Sequence, residues 1–201
     1  TTEIYTLSLH DALPIFLVGL WGTRLAVSMA RRSRGKGEDP RYADMLARAG
    51  GHPVATALRK IYLTQALALW FVSLPVQVAA SAAGTVGVLT VIGVALWLLG
   101  ITFETVGDRQ MDAFKADPAN KGSIMDRGLW RYTRHPNYFG DACVWWGVYL
   151  IAAGGADALV GPAVVTALSP VAMTYFLVFA TGARLLERHM AERPGYREYQ
   201  Q

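Results

Sequence analysis

The sequence predicts an all-α protein, a polytopic bundle of transmembrane helices, and three observations support this fold class. Of the 201 residues, 53% are hydrophobic and only 17% are charged, whereas a soluble domain usually carries about a quarter charged residues. Long stretches contain no charged residue, and the mean hydropathy is positive at +0.26. Basic residues are concentrated in alternate connections between these stretches. This composition excludes a soluble globule and a disordered chain, and the single cysteine excludes a disulfide scaffold.

Five stretches are candidates for membrane-spanning helices, because a hydrocarbon core needs about 20 apolar residues per helix. The first contains Arg24 near its end, and the fourth is interrupted only by Asp141. Lipid cannot satisfy an open backbone, so we expect each span to be helical. In chain order the predicted spans are residues 16–29, 61–83, 85–103, 136–156 and 158–183.

The first fifteen residues, TTEIYTLSLHDALPI, resemble the translation of a common sequencing adapter. We therefore predict that residues 1–15 are not part of the fold, and that residues 16–201 form a single membrane-embedded domain. On this interpretation His10 and Asp11 belong to no site. We also expect the natural chain to begin further upstream, with at least one more N-terminal segment, and to continue past Gln201.

The positions of the 19 lysines and arginines predict the orientation of the spans. Nine lie between Arg24 and Lys60, six between Arg109 and Arg134, and four after residue 183. The connections around residues 80–84 and 154–161 contain none. Cytoplasmic loops of membrane proteins carry such an excess of basic residues. We therefore predict an integral membrane protein with its basic loops and C-terminus in the cytoplasm, and the net charge then indicates topology rather than binding to nucleic acid.

The first basic loop, which contains Arg31, Arg32, Arg34 and Lys36, has two interpretations. It could anchor the chain at anionic lipid headgroups, since membrane lipids attract such segments. Alternatively, some of its cations line a site for an anionic cofactor. The sequence leaves both interpretations open.

The second basic loop begins with two carboxylates at the end of the third span. Glu104 and Asp108 lie four residues apart and therefore on one face of a helix. Ionisable groups at membrane depth usually face the bundle interior or a wet cavity, although these two could also simply reach the membrane interface. Lys115 and Lys121 follow in a polar, turn-rich stretch and are available to bind phosphate oxygens.

The stretch GLWRYTRHPNYFGD, residues 128–141, combines cations, a histidine, an amide, a carboxylate and aromatic rings at the entry to the fourth span. Pro136 suits the first turn of a helix, and the exposed N–H groups of a helix start favour an anion nearby. A basic loop that only sets topology needs none of the other side chains, so we predict a functional site here. Its candidate residues are Arg131, Arg134, His135, Asn137, Tyr138, Asp141 and Trp145.

The last segment, residues 184–199, is predicted to form an amphipathic helix at the membrane interface. Arg184 and Glu187 lie three residues apart where the fifth span leaves the membrane. They could alternatively close over the site of the preceding loop. No histidine or cysteine spacing indicates a metal site, because His52, His135 and His189 are scattered.

These motifs resemble bacterial membrane proteins of the steroid 5-alpha-reductase type, a group related to sterol reductases and isoprenylcysteine carboxyl methyltransferases. Residues 108–146 carry the specific part of the resemblance, and a weaker similarity extends from Phe16 to the end. The resemblance implies a seven-helix membrane enzyme that reduces a conjugated carbon–carbon double bond with NADPH. It places the chain in the bacterial reductase branch of this group.

The resemblance also implies roles for individual residues. Asp108, Asn137 and Trp145 match cofactor-binding positions directly, whereas Glu104, Lys115 and Asp141 stand where the steroid enzymes have Asn, Arg and Glu. The family's substrate-binding tyrosine is replaced by Trp21, whose indole N–H donates a hydrogen bond but does not deliver a proton. The catalytic residue is therefore not identified, and the acid that supports the tyrosine is expected upstream of this chain. The loosest matches are Arg184 and Glu187, near the family's C-terminal basic pair.

We predict from these observations a membrane-embedded oxidoreductase that uses NADPH to reduce a double bond of a lipid-like steroid, enone or isoprenoid. Arg131, Arg134 and Lys115 would hold the phosphates, whereas Asp108, Asn137 and Asp141 would fix ribose or carboxamide groups. Two alternatives remain. One is a methyltransferase that uses S-adenosylmethionine, because that branch shares an Arg-His-Pro-x-Tyr element, and the other is a lipid-binding membrane protein without catalysis.

Overall fold

The computed structural model describes residues 9–37, 40–49, 51–81, 86–154, 160–180 and 182–200, and no β-strand occurs among them. The fold class is therefore confirmed as all-α. The α-helices are α1 (Leu9–Ser33), α2 (Pro40–Ala47), α3 (Pro53–Ala57), α4 (Leu63–Val72), α5 (Leu74–Ser81), α6 (Val88–Ala116), α7 (Pro136–Gly154), α8 (Val160–Thr166), α9 (Leu168–Tyr175), α10 (Ala183–Met190) and α11 (Tyr196–Tyr199). Wide π turns at Leu58–Tyr62 and Phe176–Ala180 follow α3 and α9.

Within the described part of the chain, three helical segments are long and apolar enough to cross a membrane, namely Asp11–Ser33, Val88–Ala116 and Gly161–Arg188. A fourth arises if Pro53–Val72 and Leu74–Ser81, which meet at an angle of 47°, are counted as one broken span. These helices fit an integral membrane protein. They do not establish five spans, because the predicted fourth span, α7, carries the polar Asn137 and Asp141 and falls outside this set.

The break in the predicted span 61–83 has a local cause. Helix α4 ends at Val72, and Ser73 caps it with its backbone N–H bonded to the carbonyls of Leu69 and Phe71. Pro75 follows in the first turn of α5, where its missing N–H is tolerated. A proline at this place ends the first helix and starts the second with a new direction.

Helices α6 and α7 are antiparallel and form the closest contact of the fold. Gly93 faces Gly147, and Gly100 faces Gly140, so that glycines spaced seven apart line both helices. A Cβ atom on Gly147 would lie 2.6 Å from the carbonyl oxygen of Gly93. The two backbones can approach this closely only because these positions carry no side chain, as in other membrane helix pairs.

The hydrophobic core surrounds this pair. Trp97 of α6 and Val144, Val148 and Ile151 of α7 are buried, and Leu17 of α1 packs against the same cluster. Large apolar side chains elsewhere remain exposed on the outside of the bundle, as expected for a surface that faces lipid. Examples are Leu67, Leu69, Trp70, Val91 and Leu98.

Helix α1 begins at Leu9 and continues through the adapter-like segment without a break. Residues 1–8 lie outside the described part of the chain. The proposed origin of residues 1–15 concerns how the segment arose and not its conformation, so it stays a prediction.

Candidate functional site

Five charged side chains form an ion-pair ladder between α1 and α6. The carboxylates recur at intervals of four residues on α6, and the two arginines lie eight residues apart on α1, so each set follows one helix face. The Arg24 guanidinium binds Glu104 and also contacts Asp108 at 3.3 Å. Arg32 contacts Asp108 at 3.0 Å and Asp112 at 3.6 Å. Positive and negative groups therefore alternate along the ladder.

The ladder runs from solvent into the bundle. The carboxylate side chains are 56% exposed at Asp112, 16% at Asp108 and 5% at Glu104. The arginine side chains follow the same order, with 45% at Arg32 and 19% at Arg24. A continuous path of charged groups thus connects the aqueous surface with the bundle interior.

Two indoles and a carboxylate of α7 complete the inner end of the ladder. The Trp21 indole N–H donates to Glu104 Oε1 at 2.9 Å. The ring of Trp21 meets that of Trp145 edge to face, with centroids 5.5 Å apart. Asp141, one helical turn before Trp145, interacts electrostatically with Glu104 and Arg24. We call Trp21, Arg24, Glu104, Asp141 and Trp145 the inner cluster.

Three buried polar atoms of the inner cluster have no hydrogen-bond partner among the described residues. They are Asp141 Oδ1, Trp145 Nε1 and Arg24 Nε. The Trp145 indole faces the Asp141 carboxylate but does not reach hydrogen-bond geometry with it. Buried polar groups in folded proteins are nearly always satisfied, so unsatisfied donors and an acceptor side by side indicate a place for a polar ligand or water.

A second group of contacts, which we call the C-terminal clasp, joins the 128–141 loop to the last helices. Arg134 Nε donates to Glu187 Oε1 at 2.8 Å, and His135 Nε2 lies 3.1 Å from the same oxygen. The Tyr199 hydroxyl donates to the carbonyl of Trp130. Arg134 also reaches the Gln200 carbonyl at 3.4 Å. These contacts hold the C-terminal segment against the start of α7.

The clasp changes the protonation behaviour of its members. Burial lowers the pKa of His135 and outweighs the opposite effect of the Glu187 carboxylate. The hydrogen bond to Glu187 raises the pKa of Arg134. Burial raises the pKa of Tyr199 to about 12. At neutral pH the clasp therefore consists of a charged Arg134–Glu187 pair beside a neutral imidazole and neutral phenols.

The loop itself is fixed to α6. The Trp130 indole N–H donates to the Gly107 carbonyl at 3.0 Å, and the backbone N–H of Leu129 donates to the Gln110 side chain at 2.9 Å. Tyr138 stacks on His135 with ring centroids 5.3 Å apart. Asn137 lies half-buried in the first turn of α7, where Gly107 allows its backbone to come close.

The structure divides the predicted site residues into three sets. Glu104, Asp108, Asp141 and Trp145 meet around the ladder, together with Trp21. Arg134, His135, Tyr138 and Glu187 meet in or beside the clasp, where Arg184 and Glu187 line one shallow depression. Arg184 also lies 4.3 Å above the Phe179 ring. Lys115 and Arg131 are exposed and make no ion pair within the described part of the chain.

Six residues of these two groups were not assigned to the site from sequence, namely Arg24, Arg32, Asp112, Trp130, Tyr199 and Gln200. The sequence placed Arg24 only as a charge near the end of the first span, and it placed Arg32 only among the cations of the first basic loop. A signal for Arg24 was present, because an arginine inside an apolar stretch needs a carboxylate partner at membrane depth. Trp130 and Tyr199 act through backbone contacts between distant segments, which residue spacing does not reveal.

Fold and site together fit an integral membrane protein with a polar cluster between three of its helices, α1, α6 and α7. Residues 3–201 match the DUF1295 family, described as a protein of unknown function, and the chain belongs to this family. DUF1295 is part of the steroid 5-alpha-reductase-like superfamily, so the resemblance predicted from sequence is confirmed at that level. No curated protein and no solved structure matches the chain.

Proposed function

We propose that this protein is a membrane-embedded oxidoreductase that reduces a carbon–carbon double bond of a lipid-like substrate with NADPH. Membership of the steroid 5-alpha-reductase-like superfamily supports the reaction class. The observation that carries the proposal is the inner cluster, in which α1, α6 and α7 present polar groups to one another inside an apolar bundle. Such groups are costly at membrane depth and usually mark a functional site.

The unsatisfied atoms of the inner cluster fit the amide of a nicotinamide ring. A carboxamide offers one carbonyl acceptor and two N–H donors. Trp145 Nε1 and Arg24 Nε are donors without a partner, and Asp141 Oδ1 is an acceptor without one. These residues would hold the carboxamide, and the bound nicotinamide would supply the hydride. The protein's own contribution is orientation, charge and exclusion of water.

Phosphate groups would be held by cations outside the inner cluster. Lys115 and Arg131 are exposed and form no ion pair in the described chain, which leaves them available. Arg134 is less available, because Glu187 neutralises it in the clasp. The ladder arginines are also paired, so we expect cofactor binding to break at least one ladder ion pair. A lipid-like substrate would enter from the bilayer through the apolar outer surface.

We also propose that the chain crosses the bacterial inner membrane five times, with its basic loops and C-terminus in the cytoplasm. Helix α7 runs antiparallel to α6 in close contact over most of its length, which supports its crossing together with α6 despite its polar residues. Cysteines introduced at residues 37 and 121 test this sidedness, because the single native Cys143 is buried and should remain silent. Both should react with an impermeant maleimide only in inside-out vesicles.

Binding of NADPH to the purified protein in detergent tests the reductase. We expect micromolar NADPH to raise the melting temperature, since a ligand that binds only the folded state stabilises it. Trp145→Phe keeps an aromatic ring but removes the unsatisfied N–H. It should weaken binding about fivefold, the value of one neutral hydrogen bond.

Trp146→Phe is the matched control, because the adjacent Trp146 donates to Thr174 at 3.1 Å outside the inner cluster. Its NADPH affinity should equal that of the wild type. No binding to the wild type, or equal affinity in the wild type and Trp145→Phe, would contradict the proposed site.

A methyltransferase that uses S-adenosylmethionine is the second candidate, and one observation favours it. The ladder and Asp141 together contain four carboxylates, Glu104, Asp108, Asp112 and Asp141, but only two arginines, Arg24 and Arg32. Such an acid-rich group suits a cationic sulfonium better than phosphates. The same thermal-shift assay with both cofactors side by side distinguishes the two enzymes, and stabilisation by neither favours the non-catalytic lipid-binding protein.

A further inference from the structure

Asp141 is a half-buried carboxylate whose Oδ1 atom is fully buried, and the structure gives it no ion pair. Two charged groups face it, Glu104 from α6 and Arg24 from α1. The neighbouring helices α5 and α9 contain no charged residue at all. Its Oδ1 atom also lacks a hydrogen-bond partner among the described residues. The surroundings of Asp141 are therefore the least suited of the inner cluster to a negative charge.

Arg24 is the only cation among the described residues that faces Asp141, and it is already shared with other carboxylates. Arg24 binds Glu104 with one guanidinium nitrogen and Asp108 with the other. Arg24 therefore faces the three carboxylates Glu104, Asp108 and Asp141, of which only Asp108 has a second cation, Arg32 at 3.0 Å. A buried charge without a partner is so costly that the group takes up a proton and becomes neutral instead. Asp141 is the member of the three that can do so without breaking an ion pair.

A second, independent observation indicates that this position serves a ligand. Trp145 is only 4% exposed, and its indole N–H lies near Asp141 but has no partner in hydrogen-bond geometry among the described residues. A buried tryptophan usually finds an acceptor, and although Trp97 Nε1 in the core also lacks one, of these two indoles only that of Trp145 lies near an unsatisfied acceptor, Asp141 Oδ1. The unsatisfied donor and the carboxylate without an ion pair thus lie at one place, inside the bundle and within the site proposed for nicotinamide.

Proton exchange with solvent has a path along the ladder. The carboxylate exposure falls from 56% at Asp112 through 16% at Asp108 to 5% at Glu104, and Glu104 faces Asp141. Charged side chains at membrane depth draw water inward and commonly form proton relays.

We propose that Asp141 carries an exchangeable proton supplied from the aqueous surface along the ladder, and that it donates this proton in the reduction. The second part rests on the proposed function. Reduction adds a hydride and a proton across a C=C bond. The hydride and its electron pair come from NADPH, which is oxidised to NADP⁺, and form one C–H bond. The π electrons form the second C–H bond with the proton of Asp141, whose O–H bond breaks to leave a carboxylate that water then reprotonates.

Trp21 does not fill this role. It stands where the related enzymes have a tyrosine, but an indole N–H is a donor only and is not given up as a proton. Its N–H is moreover bound to Glu104. Trp21 is thus a positioning residue that holds Glu104 between itself and Arg24. The acid of this chain is instead on the facing helix, at Asp141.

Carbodiimide labelling tests the proton on Asp141 without any cofactor or substrate. The probe is dicyclohexylcarbodiimide, which enters membranes and reacts with protonated carboxyl groups. After treatment of the full chain in lipid vesicles at pH 7, we expect mass spectrometry to find the adduct on Asp141 and none on the exposed, ion-paired Asp112. Infrared spectroscopy should show a protonated carboxyl band that shifts in D₂O and is absent in Asp141→Asn but present in Asp112→Asn.

The outcomes separate this proposal from the proposed function. An unlabelled Asp141, or a carboxyl band that persists in Asp141→Asn, overturns the proton site whether or not NADPH binds. A labelled Asp141 in a protein that does not bind NADPH retains the proton site but overturns its role as donor, together with the reductase. With NADPH bound, labelling should fall severalfold because the cofactor covers Asp141, and unchanged labelling overturns the donor role alone. Asp141→Glu keeps a carboxyl group at this position and should restore the band. Its recovery shows that the loss in Asp141→Asn comes from removal of the acid and not from misfolding.

Discussion

Substitution of Gly100 by alanine tests the packing on which the whole site depends. Gly100 lies at the centre of the α6–α7 contact, opposite Gly140. An added Cβ would lie 2.5 Å from the carbonyl oxygen of Gly140 and 2.7 Å from the backbone nitrogen of Val144. Both are backbone atoms, so neither can rotate away as a flexible side chain could. The two helices must therefore move apart.

The cost follows from these distances. Relief of the clash to an ordinary contact of about 3.5 Å requires a separation of about 1 Å over the length of the contact. Overpacking of a well-packed core costs about 1–3 kcal/mol, and the rigid neighbours place Gly100→Ala at the upper end. For a chain of this length, about 3 kcal/mol corresponds to a melting temperature about 6–12 °C lower.

Thermal unfolding in detergent, followed by circular dichroism, measures this loss. Gly19→Ala is the matched control, because Gly19 lies on the same kind of apolar helix and has no atom within 4 Å of its added Cβ. Alanine there should be neutral or stabilising by up to about 1 kcal/mol through its higher helix propensity. If Gly100→Ala melts at the temperature of the wild type, α6 and α7 are not in close contact and the arrangement of the inner cluster is wrong.

Three further predictions concern the ion pairs and the clasp. Arg24→Gln should destabilise the fold by about 3 kcal/mol, because it leaves the buried Glu104 carboxylate without its cation, whereas Glu104→Gln should cost less because Arg24 keeps its contact with Asp108, and a double-mutant cycle should show that the two losses are not additive. Tyr199→Phe should cost about 1 kcal/mol, the value of its hydrogen bond to Trp130, and should speed proteolysis of the C-terminal segment. The lowered pKa of His135 means that the unfolded chain binds its proton more readily, so stability is full above the ordinary value of 6.5 and falls as the pH drops below it. Melting temperatures between pH 8 and 5 should show this fall in the wild type and less of it in His135→Asn, and a fall of equal size in both proteins would contradict the assignment.

The fold class was predictable from sequence because hydropathy is a local and additive property. The boundaries of the helices were less predictable from sequence. The predicted third span ended at Phe103, whereas α6 continues to Ala116, because the polar turns after Phe103 remain helical and carry the ladder carboxylates. The second predicted span contains Pro75, whose effect on direction depends on how the flanking helices pack. Local composition therefore identified apolar segments but not how far each helix extends beyond the lipid.

The candidate site was predictable where it follows helix periodicity. The four-residue spacing of Glu104 and Asp108 placed them on one face, and that of Asp141 and Trp145 likewise. Their arginine partners come from α1, about eighty positions earlier, and no pattern within a single segment reveals such a pairing. Arg134 and Lys115 were predicted to bind phosphates together. The structure separates them, because Arg134 forms an ion pair with Glu187 whereas Lys115 is exposed.

The close helix contact and the chemistry of the inner cluster depend on the same glycine. A Cβ on Gly140 would meet the Gly100 carbonyl oxygen at 2.6 Å, and it would also lie 2.8 Å from Cγ of Glu104. The space left by Gly140 is thus the space through which the Glu104 side chain passes toward Trp21 and Arg24. Because Asp141 is the next residue, the approach of the two helices sets the distance between the carboxylates. The glycine at position 140, which lacks a Cβ atom, therefore fixes the distance between the Glu104 and Asp141 carboxylates, and the proposed protonation of Asp141 beside the Arg24–Glu104 ion pair depends on that distance.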